Sequence, residues 1–135
     1  MRTVKTIFVV VLSVILLTGI AMESKAQISQ MPKTYVNVSL QNVPSYNNKS
    51  WNAEITMYFV GINYSNTFYK TIPGGLQTDF TYILKGYASY TGTIIVTVKL
   101  HDQTYIQFIG VKAQSGTWNS SDQLPIVVDQ WSPVG

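Results

Sequence analysis

The chain has 135 residues, no cysteine, 11% charged residues and a formal net charge of +3. This length allows one compact domain and disfavours two. The absence of cysteine excludes disulfides, a thiol nucleophile, and any iron–sulfur or zinc site with cysteine ligands. Because 46% of the residues are hydrophobic, a wholly disordered chain is excluded as well.

Residues 1–26 have the features of a cleaved secretory signal peptide. A short basic start precedes an apolar run from Ile7 to Met22. Ser24 and Ala26 then place small residues at the minus-three and minus-one positions of a signal-peptidase site. The run is shorter than the about 20 apolar residues of a membrane-spanning helix. We therefore expect an exported protein (periplasmic, cell-surface or secreted) whose mature chain, residues 27–135, has no stable membrane insertion.

The charge of the mature chain is close to neutral. Its six lysines and five carboxylates leave a net charge of +1, and the lysines are spread singly with no arginine after Arg2. A nucleic-acid surface needs clustered basic residues to displace counterions from phosphates, so we expect no nucleic-acid partner. A cysteine-free exported domain is atypical of eukaryotic extracellular modules, which favours a bacterial source.

Period-two alternation recurs through the mature chain, and no helical period is sustained. The clearest run is Trp51–Phe59, in which five apolar side chains alternate with four polar or amphipathic ones. Pro73-Gly74-Gly75 is predicted to separate two strands. His101-Asp102-Gln103 is predicted as a hairpin turn, and Gln114–Pro125 is predicted as a loop. The predicted strands cover residues 35–41, 51–59, 67–72, 76–85, 93–100, 104–113 and 126–131.

About seven short strands separated by turn signals predict an all-β fold. We expect a single antiparallel β-sandwich domain over residues 27–135, with an immunoglobulin-like or jelly-roll arrangement. A small β-barrel is the alternative.

Few features of the mature chain point to catalysis. The lone His101 and its neighbour Asp102 are better explained as turn residues than as a general base or metal ligand. The remaining carboxylates form no pair at a defined spacing, and no glycine loop is followed by the lysine that a phosphate-binding loop requires. We therefore predict no enzyme activity, no catalytic residue, no metal site and no cofactor.

The informative excess is aromatic, with nine tyrosines and three tryptophans in the chain. Tyr35 and Tyr58 fall on the outward phase of their strands, Tyr69 and Tyr105 are assigned to the same phase, and Trp118 falls in the predicted loop. An exposed tyrosine presents a flat apolar face and a polar tip, which suits an interface that stays partly wet. These five residues are the predicted ligand-binding set, although tyrosine is also an ordinary strand residue.

The sequence therefore predicts a non-catalytic binding module that recognises a carbohydrate or a cell-surface ligand through exposed aromatic side chains. The alternative is a structural or interaction subunit that binds other protein chains or assembles with itself.

Overall fold

The computed structural model describes residues 31–45, 47, 49–103, 105–121 and 124–134. The predicted signal peptide, residues 1–26, lies outside the described residues. The described strands belong to one unit, Lys33–Gly135, and a turn of 3-10 helix covers Val60–Ile62. The strands are β1 (Lys33–Leu40), β2 (Ser50–Phe59), β3 (Tyr64–Pro73), β4 (Thr78–Lys85), β5 (Ser89–Asp102), β6 (Tyr105–Asn119), β7 (Ile126–Val128) and β8 (Ser132–Pro133).

The strands form two sheets, which confirms the predicted all-β sandwich. One sheet has three strands in the order β4-β1-β7, and the other has five in the order β3-β2-β5-β6-β8. All described pairings are antiparallel except that of β1 with β7. Two separate sheets, rather than one closed sheet, rule out the barrel alternative.

The core lies between the two sheets and follows the alternation in the sequence. Val36, Val38 and Leu40 of β1 are buried on one side. Ile55 and Met57 of β2 are buried on the other and belong to the same apolar cluster. Each buried aliphatic side chain contributes about 1.5–3 kcal/mol relative to exposure, and this burial holds the sheets together without disulfides.

The ends of β5 and β6 were predicted wrongly as loop. In the structure β5 begins at Ser89 and β6 continues to Asn119, with Ser89 directly opposite Asn119. This stretch is rich in small polar residues, so it lacks the apolar alternation that marks a strand. In this stretch, side-chain hydroxyl groups of β5 and β6 bond to each other across the pair of strands. For example, the hydroxyls of Thr93 and Ser115 share a 2.8 Å hydrogen bond.

The turn between β5 and β6 lies one or two residues later than predicted. His101 and Asp102 are the last residues of β5. The chain turns at Gln103, whose φ of 57° places it in the left-handed region. A β-bulge between Leu100 and His101 shifts the register just before this turn.

Candidate binding site

Two edge strands, β3 and β4, border the same open side of the sandwich. Among the described residues, β3 pairs with β2 alone and β4 with β1 alone. In β3 the residues opposite the buried side chains of β2 include Tyr64, Asn66, Phe68 and Lys70. In β4 the residues opposite the buried side chains of β1 include Phe80 and Tyr82. Since directly opposed residues share a face of the sheet, these side chains extend into the space between the two edges.

Aromatic rings from the two edges contact each other there. Phe68 stacks on Tyr82 with ring centroids 5.8 Å apart and 19° between the planes. It also meets the edge of Phe80 at 5.7 Å. Buried Phe59, at the end of β2, packs beneath Tyr82 at 5.7 Å and Tyr64 at 5.9 Å. Such ring pairs contribute about 0.5–1.5 kcal/mol beyond the area they bury, so the rings form an ordered floor.

Polar atoms converge on the hydroxyl of Tyr82. It shares a 3.0 Å hydrogen bond with the hydroxyl of Tyr64, and the Asn66 Nδ2 donates to it over 3.0 Å. Burial raises the pKa of Tyr82 to about 12, and the hydrogen bond with Tyr64 adds to that rise while the Asn66 amide opposes it. The hydroxyl is therefore neutral at physiological pH. Tyr64 and Asn66 occupy two of its three hydrogen-bonding positions, which leaves one for a ligand.

We name this feature the edge groove. It consists of two adjoining hollows of about 310 and 300 Å³, which share Asn66, Tyr82 and Ile83. Half-exposed Tyr64 and Tyr87 border one hollow, and Lys70 and Phe80 border the other. The lining comprises Tyr64, Asn66, Phe68 and Lys70 of β3, residues 80–85 of β4, and Tyr87.

The function of the groove has to be inferred from its own side chains, because comparison with known proteins identifies no relative. No family model, curated protein or solved structure gives a significant match. The groove offers aromatic faces, phenolic hydroxyls, an amide and two ammonium groups, and neither histidine nor carboxylate occurs among its lining residues. Within the described part of the chain, no group of three or more histidine, aspartate or glutamate side chains could hold a metal ion, and no helix is long and apolar enough to cross a membrane.

The raised pKa of Tyr82 predicts a loss of stability in alkaline solution. The unfolded chain releases this proton near pH 10, whereas the folded chain holds it to about pH 12. Between these values the unfolded state binds fewer protons, so the free energy of unfolding falls as the pH rises through this window. We expect Tyr82→Phe to show a shallower decline in urea unfolding measured from about pH 9 to about pH 12. An equally steep decline in both proteins would contradict this assignment.

Three of the predicted tyrosines are divided between the two outer faces of the sandwich, one on one face and two on the other, so the three cannot all contact one ligand. Tyr35 is on the outer face of the three-stranded sheet, opposite Ile83. Tyr58 and Tyr69 are on the outer face of the five-stranded sheet. There the Tyr58 hydroxyl donates to Asn63 Oδ1 over 3.1 Å and the Tyr69 hydroxyl donates to Glu54 over 3.0 Å.

Tyr105 is separate from the other tyrosines as well. It begins β6 beside the hairpin turn, opposite Asp102, and is 71% exposed. Tyr69 is also well exposed, at 63%. These two side chains are accessible, but the fold brings neither of them to the edge groove.

The placement of Trp118 in an exposed loop was wrong. Trp118 belongs to β6 and is only 3% exposed. It packs against Tyr90 with ring centroids 6.0 Å apart. Tyr90 is buried in β5, where its hydroxyl donates to the Thr93 carbonyl over 2.9 Å and accepts from the Gly61 N–H over 2.8 Å. Both residues are part of the buried core.

A second concavity, of about 370 Å³, lies on the outer face of the three-stranded sheet. Gln77 donates to both carboxylate oxygens of Asp79, each over 3.1 Å. Hydrogen bonds from Ser39 and Gln77 hold the pKa of Asp79 below its usual value. The residues that line this concavity are largely polar, and Phe80 is the one aromatic residue among them, whereas several aromatic residues line the edge groove. The edge groove is therefore the better candidate site.

The residues of the edge groove that the sequence analysis missed carry a recognisable signal. Asn66 and Lys70 occupy the same phase of β3 as Phe68 and Ile72. A polar residue on the inward phase of a strand indicates that this part of the inner face reaches water. That signal marks β3 as an edge, although it does not say which strand lies across from it.

Proposed function

We propose that this chain is an exported, non-catalytic β-sandwich module, of bacterial origin, that binds a carbohydrate in the edge groove. The observation that carries this proposal is the convergence of Tyr64, Asn66, Tyr82 and Tyr87 on two adjoining hollows. Export rests on the predicted signal peptide, and the absence of histidine and carboxylate from the groove lining supports binding without catalysis.

The chemistry of the groove matches that of a sugar. A sugar ring has apolar C–H faces and a rim of hydroxyls, and the groove supplies aromatic faces beside hydroxyl and amide groups. Small-ligand sites are typically concave, with aromatic walls and a few fixed polar groups that set orientation. The Tyr82 hydroxyl is such a group, because Tyr64 and Asn66 hold it from two sides.

The contacts within the groove favour binding without large rearrangement. Phe59 supports the rings of Tyr64 and Tyr82 from below, and Phe68 stacks on Tyr82. Side chains that are already ordered lose less entropy when a ligand binds. Tyr87 is half-exposed and lines one of the hollows, so its ring is accessible to a ligand there.

Removing the exposed groove side chains should weaken glycan binding. We expect Tyr87→Ala and Asn66→Ala each to lower the affinity for a glycan identified in an array screen by about tenfold, which is about 1.4 kcal/mol. Calorimetry on the purified protein measures this change, and circular dichroism checks that each variant is folded.

Tyr69→Ala and Tyr105→Ala are matched controls for this experiment. Both remove an exposed tyrosine outside the groove and should bind as the unaltered protein does. Groove variants that bind normally, or control variants that lose binding, would contradict the assignment of the site. An array with no binding at millimolar glycan would overturn carbohydrate recognition altogether.

A second candidate function is that of a subunit that associates through a free strand edge. β8 covers β6 only at Phe108 and Ile109, so the exposed stretch 111–117 has a free edge. However, Lys112 lies opposite buried Val96 and therefore on the inner phase of this strand. An inward-facing charge is a feature that opposes edge-to-edge pairing. Concentration-dependent oligomers in light scattering, combined with no glycan binding, would favour this second candidate.

A further inference from the structure

Two lysines border the edge groove towards its opposite ends. Lys70 lines the hollow that also contains Phe80, and Lys85 lines the hollow that also contains Tyr87. The described residues include one ion pair, between Lys99 and Glu54, so neither groove lysine is neutralised by a described carboxylate.

The direction of the two strands places these ammonium groups apart. Tyr64, at the start of β3, bonds to Tyr82, whereas Lys70, further along β3, lies over Phe80, earlier in β4. The strands therefore run in opposite directions along the groove. From Tyr64 to Lys70 is about 20 Å at 3.3 Å per residue, and Lys85 lies beyond the Tyr64 end.

Lys70 is positioned by the groove itself. Its Nζ is 5.4 Å from the centroid of the Phe80 ring, within the range of a cation–π contact. At the other end, Lys85 is on the outer phase of β4, directly opposite Lys33, and it lines the hollow from the free edge of this strand. Lys33 adds a second ammonium group to the positive charge at that end.

No carboxylate is among the described residues that line the two hollows of the groove. Glu54 is on the outer face of the five-stranded sheet, 3.6 Å from Lys99 Nζ. Asp79 adjoins Phe80 in β4, but it lines the polar concavity on the outer face and neither hollow of the groove. The groove therefore presents positive charge at both ends and neutral aromatic and polar groups between.

We infer that the ligand of the edge groove is an acidic oligosaccharide, whose carboxylate or sulfate groups pair with Lys70 and Lys85 while its rings lie on the tyrosines between them. This inference rests on the proposed function and names the class of carbohydrate. Charge complementarity supports it, since two cations without a neighbouring anion select against neutral and cationic ligands. The aromatic and hydroxyl groups between the lysines favour sugar rings over an acidic peptide.

Paired probes that differ only in charge test the inference. Oligogalacturonides and their methyl-esterified forms make one pair, and sulfated galactan oligosaccharides without uronic acid and their desulfated forms make another. A neutral glycan array and poly-glutamate complete the set. We expect acidic oligosaccharides to bind, and their neutral counterparts to bind at least tenfold more weakly. Affinity should fall as sodium chloride is raised from about 50 mM to about 500 mM.

Lysine variants assign the charge selectivity to the groove. Lys70→Gln and Lys85→Gln should each lower the affinity for the acidic probe about fivefold to tenfold. Lys112→Gln, which removes an exposed lysine from β6, is the matched control and should leave the affinity unchanged. Equal effects from all three substitutions would indicate a nonspecific charge effect and would overturn the assignment to the groove.

The remaining outcomes separate this inference from the proposed function. If neutral glycans alone bind, and Tyr87→Ala weakens them, the proposed function stands and the acidic class is wrong. If no oligosaccharide of either kind binds, both are wrong. If poly-glutamate binds as tightly as the acidic oligosaccharides and depends on the same lysines, the site recognises an acidic peptide and the carbohydrate assignment is overturned.

Discussion

Replacing Phe59 by alanine is expected to lower the free energy of unfolding by about 3–5 kcal/mol. Phe59 is fully buried at the end of β2. Its ring contacts Tyr90 edge-on at 5.3 Å, as well as Tyr82 and Tyr64 at 5.7 and 5.9 Å. Truncation removes all three contacts and leaves a cavity that strands anchored on both sides cannot fill. Urea unfolding followed by tryptophan fluorescence measures the change.

A milder variant keeps this prediction testable if the alanine variant does not fold. A domain of this kind is stable by only about 5–15 kcal/mol in total, so the loss could remove much of its stability. Phe59→Leu retains most of the volume but no ring, and should cost about 1–2 kcal/mol. It should also weaken ligand binding, because Tyr64 and Tyr82 would lose the ring that packs beneath them.

Tyr105→Ala is the control for both Phe59 variants. It also removes an aromatic ring, but from a side chain that is 71% exposed. Its effect should stay within about 0.5 kcal/mol. If Phe59→Ala were no more destabilising than this control, the aromatic cluster would not be a packed part of the core.

The two sheets could be predicted because burial imposes a two-residue period wherever one face of a strand meets the core. In β2, buried Ala53, Ile55 and Met57 alternate with partly exposed polar side chains, and the predicted and observed strands nearly coincide. The same reasoning fails in the outer part of the β5–β6 hairpin. There Gly92 pairs with Gly116, and neither has a side chain whose polarity could report burial.

The exposure of single aromatic residues was harder to predict than the strands. Tyr69 follows the outward phase of β3, and its exposure agrees with that phase. Trp118 is surrounded in the sequence by serines, a threonine, a glycine and an asparagine, which is a composition typical of a loop. Its burial depends on Tyr90, a residue 28 positions earlier that becomes its neighbour only when β5 and β6 pair.

The edge groove could not be predicted because it depends on strand order. β3 and β4 are consecutive in sequence yet belong to different sheets, so a hairpin between them would be the natural assumption. Had they paired as a hairpin, Tyr82 would share a ladder with β3 instead of facing it across the open side of a sandwich. Alternation shows which side chains of each strand face inward. It cannot show that the inward side chains of β3 and β4 contact each other at a side of the sandwich that no further strand covers.

Gly110→Ala is expected to destabilise the protein by about 1–3 kcal/mol, although it adds a single methyl group. Gly110 lies on the inner face of β6 opposite buried Val98. A Cβ atom there would be 2.8 Å from two ring carbons of Trp131 and 2.8 Å from Cγ1 of Val128. The Trp131 ring cannot easily move aside, because its Nε1 donates to the Gln41 carbonyl over 2.8 Å.

Gly116→Ala, in the same strand, separates this steric effect from the general effect of replacing glycine. Neither glycine has a positive φ, and a Cβ at Gly116 would meet its nearest neighbour, in Trp118, at 3.9 Å. Alanine at Gly116 should therefore be neutral or slightly stabilising, since it restricts the unfolded chain without a clash. Urea unfolding of both variants gives the comparison, with a second check in Trp131 fluorescence. Equal stabilities would mean that the Trp131 segment moves easily to accommodate a methyl group. Gly110 would then not be required for Trp131 to pack against β6.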